Sequence, residues 1–138
     1  MTPILNETPR VAALWLAALV QIAIASANFV LPRKLEYREN LARVSPIIRQ
    51  VFVVHSGYIV AILIFFAALT FGFASDLSSG RGLGRFLAAF IALFWSCRIP
   101  LQLFYYDPTV RRANRLGDVA ITVALVFVAG AYACAALV

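Results

Sequence analysis

Arg98 stands in a segment apolar enough to cross a bilayer, preceded by Phe94-Trp95-Ser96-Cys97 and followed by Ile99-Pro100-Leu101-Gln102-Leu103-Phe104-Tyr105-Tyr106-Asp107. A charge at membrane depth costs roughly 2.5–3.5 kcal/mol on insertion scales, so this guanidinium needs a partner. Gln102 follows at i+4, on the same helical face. Pro100 cannot donate to the Ser96 carbonyl, which frees that oxygen inside a bundle. Other apolar segments hold His55, with Tyr58 at i+3, and Asn28, with Gln21 two turns deeper on its face. Arg98 precedes Tyr106 by eight residues, and His55 follows Pro46 by nine. At 1.5 Å per residue, these are depths of about 12 and 14 Å from one membrane face. Antiparallel spans then bring Gln21, Asn28, His55 and Arg98 to a common level.

Such a layer predicts a pocket open to the cytoplasmic leaflet, with Arg98 at its base and walls from Phe94, Trp95 and Tyr105. It suits an anionic or carbonyl-bearing amphiphile: a phospholipid head group, an isoprenoid phosphate or a quinone. Arg98 would grip the anion through its planar fork. His55 would donate a hydrogen bond or move a proton. The plainer alternative is structural. Arg98 then snorkels to the interface, and His55, Asn28 and Gln21 link helices, each for about 0.6–2 kcal/mol.

Several chemistries lack their residues. No Asp or Glu is expected inside a span, which argues against ion-coupled transport. One histidine cannot ligate haem twice, and there is no HExxH, metal-ligand cluster or paired-carboxylate site. No cofactor is implied. Ser56-Gly57 after His55 is not a GxSxG elbow. Cys97 and Cys134 differ in depth by about 10 Å, too far for a disulfide, and read as small packing residues.

The elements that must carry these residues are membrane helices. The 138 residues are 63% hydrophobic and 13% charged, against about 25% charged in soluble domains. The net charge is +6, and only Lys34 among the twelve basic residues is not arginine. Loop charge of this kind orients spans and favours anionic head groups. Without a basic soluble surface, nucleic-acid binding is not expected.

Val11–Leu31 is the first apolar run. Ala25-Ser26-Ala27 resembles a signal-peptidase site, but the basic residues that follow oppose translocation, which favours a true span. Pro32–Ser45 carries Lys34/Arg38 and Glu39/Arg43 at i,i+4, with Tyr37, Leu41 and Val44 on one face, and predicts a short interfacial helix. Ser45-Pro46 is a cap-plus-proline helix start, repeated at Asp107-Pro108. Between them, Gly80, Gly82 and Gly84 mark a turn. Ala120/Ala124 and Gly130/Cys134 permit close helix contact, expected inside the bundle.

These signals predict an all-α membrane protein: a four-transmembrane-helix bundle of two antiparallel hairpins, with short interfacial helices in the cytoplasmic connections. It is a single domain over 1–138, with spans near 11–31, 46–74, 85–106 and 117–138. Arg33, Lys34, Arg38, Arg43, Arg49, Arg111, Arg112 and Arg115 outnumber Arg10, Arg81 and Arg85 on the opposite side. That asymmetry places the basic connections in the cytoplasm of a bacterial inner-membrane protein and both termini outside. The leading hypothesis is a non-enzymatic protein. It would bind a lipid-like anion through Arg98, His55, Gln102, Asn28, Gln21, Tyr58, Trp95 and Tyr105, or serve as an accessory subunit of a larger membrane complex. The second hypothesis is an enzyme or redox subunit acting on a quinone or isoprenoid through His55 and Arg98. A small-molecule permease ranks third. The partners expected are membrane lipids, a lipophilic ligand, and a second copy or other chains of a larger assembly.

Overall fold

The computed structural model describes residues 3–34 and 36–137. The first long helix, α1 (Pro3–Lys34), is followed by the short α2 (Tyr37–Ala42) and by α3 (Pro46–Ser78). A glycine turn leads into α4 (Gly82–Pro100), which continues as a π-helical turn over Leu101–Tyr105. The short α5 (Pro108–Ala113) precedes α6 (Arg115–Leu137). Four of these helices are long and apolar enough to cross a bilayer. The protein is a multi-pass membrane protein built as an all-α four-helix bundle, with the expected short helices in its two basic connections.

α1 packs on α3 and α4 packs on α6; contacts of α1 with α6 and of α3 with α4 join the two pairs. Each long helix presents one stripe at three- and four-residue spacing. On α6 it is Leu125, Val128, Ala129, Tyr132, Ala135 and Ala136, and on α1 it is Leu14, Ala17, Ala18, Gln21 and Ala25. Alanine at so many of these positions lets backbones approach closely, which matters where lipid removes the hydrophobic drive between helices.

The core fills only one half of the bundle. Among the described residues, burial ends at Ala25 in α1, begins at Leu63 in α3 and begins at Leu125 in α6. On α4 and its extension it ends at Trp95, apart from Gln102. The packed half holds the α3–α4 turn, and the opposite half, which carries the basic connections, is mostly exposed. At the turn, Gly80 takes a left-handed φ of 64°. A methyl group on Gly84 would fall on the carbonyl oxygen of Asp76, so only glycine lets α4 start this close to α3.

Local signals fared differently from one another. Pro46 opens α3, but the Ser45 side chain makes no capping hydrogen bond. Asp107 does cap α5, accepting from the Thr109 backbone N–H at 2.6 Å. That bond holds the Asp107 carboxyl below its ordinary range. The helix passes through Pro100 and absorbs the lost hydrogen bond in the π-helical turn that follows. Gly130 faces open space and Cys134 is exposed, so that pair points away from the bundle. Cys97 is also exposed, so neither cysteine packs inside.

Candidate functional site

The polar residues inside the apolar helices fall into separate groups. In the packed half, Gln21, Thr70 and Tyr132 are fully buried on α1, α3 and α6. Gln21 Nε2 donates to the Tyr132 hydroxyl at 2.7 Å, and the Tyr132 and Thr70 hydroxyls are hydrogen-bonded to each other. Thr70 donates its proton to the Phe66 carbonyl at 2.7 Å. The chain therefore runs one way, from the Gln21 amide through Tyr132 and Thr70 to a backbone oxygen. Gln21 Oε1 is left buried without a partner, as is Trp95 Nε1 on α4. The Trp95 ring packs edge-on against Phe94, which packs edge-on against Phe66 of α3.

The second group joins α4, α5 and α6. Asp118, in the first turn of α6, accepts two bonds from Arg111, from Nε and Nη2, each at 2.9 Å. Gln102 Nε2 donates to the same carboxylate at 2.9 Å. Arg111 Nη1 also donates to the Leu103 carbonyl within the π-helical turn, at 2.6 Å. One guanidinium thus ties a carboxylate to a backbone oxygen that an α-helical pattern would have used. Asp118 stands at the start of the expected fourth span, and Asp76 lies in the last turn of α3, so both carboxylates sit at the ends of the apolar helices.

Arg98 finds a partner on its own helix. Its Nη2 donates to the Tyr106 hydroxyl at 2.8 Å, and its Cζ stands 5.2 Å from the Tyr106 ring centroid. The side chain points along the helix towards the basic end, as a snorkelling arginine does. Tyr105, 79% exposed, stacks edge-on beside Tyr106. His55 is exposed on the first half of α3, with Nδ1 donating to the Val51 carbonyl at 3.1 Å. Tyr58 is 68% exposed.

The common layer of Gln21, Asn28, His55 and Arg98 therefore does not form. Gln21 belongs to the core, while His55 bonds to the Val51 carbonyl and Arg98 to the Tyr106 hydroxyl. The reason lies in α3. Its 33 residues span about 50 Å, well beyond a hydrocarbon core of about 30 Å. Depth counted from Pro46 therefore misplaces His55. No protein-family model, curated protein or solved structure matches this chain.

Asn28 belongs to a third group, at the basic end. With Arg38, Arg49 and Ser56 it lines a groove of about 360 Å³ between the end of α1, α2 and the start of α3. Pro32, Leu41 and Val53 supply apolar surface, and Tyr37 meets Phe52 edge-on at 5.3 Å to form one wall. The chain turns into α2 at Glu36, in a left-handed conformation (φ 49°, ψ 43°), which costs roughly 1–2 kcal/mol for a residue with a side chain. Among the described residues the sole ion pair is Arg111–Asp118, so neither Arg38 nor Arg49 is neutralised.

Sequence reasoning missed Thr70, Tyr132, Arg111 and Asp118. A signal existed for each pair. Thr70 lies eight residues before Ser78 and Tyr132 five before Leu137, at similar depths from the turn end. Gln102 and Asp118 both lie within four residues of a helix end on the basic side.

Proposed function

We propose that this membrane protein binds a phosphate-bearing amphiphile, an anionic phospholipid or isoprenoid phosphate, at the groove formed by α1, α2 and α3. The observation that carries this reading is the pair Arg38 and Arg49, both without a carboxylate partner, over a largely apolar floor. Guanidinium groups bind phosphate oxygens through two parallel donors. Asn28 Nδ2 already donates to the Ile24 carbonyl, which leaves its second N–H and its Oδ1 for a head-group oxygen. The positive end of the α3 dipole lies within a turn of Arg49 and adds to the attraction. Acyl chains would run along Val53 and the other exposed apolar residues of the first half of α3. The arginine excess in the basic connections supports a groove at the cytoplasmic leaflet, where anionic lipids concentrate. Arg98 and Tyr105 act beside it as interfacial anchors, while Gln21, Trp95 and Gln102 hold helices together. A protein of this kind serves as a lipid-binding unit or as an accessory chain in a larger membrane assembly.

The competing hypothesis, turnover of a quinone or isoprenoid, needs His55 and Arg98 on one ligand. Native mass spectrometry of protein purified in mild detergent separates the two. Phosphatidylglycerol should be retained over phosphatidylcholine, and the double substitution Arg38→Gln/Arg49→Gln should lower that retention about tenfold or more. His55→Ala should leave it unchanged. Equal phosphatidylglycerol retention by the wild type and the double variant would overturn the proposal. A quinone turnover abolished by His55→Ala would put the second hypothesis in its place.

A further inference from the structure

A second groove, of about 420 Å³, lies at the opposite end of the bundle, around the α3–α4 turn. Its walls are Leu69, Phe73 and Leu87, and its rim carries Asp76, Ser79 and Arg81. Phe73 leaves helical geometry (φ −133°, ψ 29°), and this break in α3 bends the wall. The rim is set by the turn. Ser79 Oγ donates to the Asp76 carbonyl at 2.6 Å and lies 3.4 Å from the Arg81 N–H that donates to it. Asp76 and Arg81 carry opposite charges on one groove, yet they form no ion pair with each other or with any other described residue.

We propose that this groove binds a zwitterionic phospholipid with a primary amine, phosphatidylethanolamine by chemistry. Two opposite charges held apart on one rim complement a head group that carries both charges itself. The ammonium has three N–H donors for the Asp76 carboxylate, and the phosphate is an acceptor for the Arg81 fork. The apolar wall takes the upper acyl chain. The basic-end groove, with two arginines and no carboxylate in its lining, lacks the site for an amine. The two ends of the bundle thus select different head groups, and this assignment stands whether or not the anionic site does.

Native mass spectrometry of the full chain, with defined lipids added to mild detergent, tests the assignment. Wild-type protein should retain phosphatidylethanolamine several-fold better than phosphatidylcholine, whose quaternary ammonium has no N–H to donate. Asp76→Asn and Arg81→Gln should each lower phosphatidylethanolamine retention about tenfold. Arg112→Gln, which removes a charge outside both grooves, should leave it unchanged. Glycerophosphoethanolamine, which lacks acyl chains, should fail to displace the lipid; displacement would show that the free head group suffices and overturn the lipid assignment. Equal retention of phosphatidylethanolamine and phosphatidylcholine by the wild type, or equal retention by wild type and Asp76→Asn, would also overturn it. The wild-type lipid comparison does not depend on any variant folding.

Discussion

Tyr132 is the residue on which the packed half depends most. Its hydroxyl both accepts from Gln21 and donates to Thr70, so it ties three helices through one oxygen. Tyr132→Phe removes that oxygen and leaves the Gln21 amide with no acceptor in a fully buried site. The loss should be about 1–2 kcal/mol, read as a lower melting temperature in detergent. Gln21→Leu should cost less, because it also removes the Oε1 atom that already lacks a partner. The reverse order would mean that the Gln21 carbonyl is satisfied in solution. Asp107 gives a pH-dependent case outside the spans. Its folded carboxyl is held below the ordinary value by the Thr109 N–H bond. A depressed folded pKa contributes stability above the unfolded value of about 3.9, and the contribution is lost as pH falls through the folded value. The Thr109 amide resonance should therefore shift only in that acid range. In Asp107→Asn, which can cap without titrating, the acid shift should vanish; its persistence would place the titration elsewhere.

Among the elements, the α3–α4 hairpin has the least tolerance. Gly84→Ala sets a methyl group on the Asp76 carbonyl, and the helices must separate to accept it. A cost of about 1–3 kcal/mol is expected from such overpacking. Gly72→Ala, on the same hairpin with nothing near its added carbon, should be neutral or stabilising by up to about 1 kcal/mol. Melting temperatures of the two variants in one detergent give the comparison, and equal values would mean that the turn relaxes freely. The elements themselves were legible in the residues. Long apolar runs and the prolines at 46 and 108 mark the helices, and the turn glycines separate the third from the second. What each helix buries was not legible. Lipid-facing and core-facing positions are both apolar in a membrane, so Val123 and Val128 look alike although only the second is buried. Polar residues were the remaining guide, and they divided. Gln102 turned inward to the carboxylate at the start of the fourth span. His55 stayed exposed on the first half of α3.

At the scale of the whole molecule, the buried core lies towards the α3–α4 turn and the arginine-bearing end is mostly exposed. The positive-inside asymmetry predicts a cytoplasmic side for the arginine-bearing end. Cysteine labelling tests this directly once Cys97 and Cys134 are replaced by alanine. A cysteine at Ser79, on the turn, should react in intact cells with a membrane-impermeant maleimide. One at Glu36, in the first basic connection, should react only after the membrane is permeabilised. The opposite pattern would invert the molecule and place the paired arginines of the first groove outside. In that orientation the leaflet rich in anionic lipid would meet the Asp76–Arg81 rim instead. With the two grooves at opposite ends of α3, this labelling also decides which lipid pool can reach which set of charges.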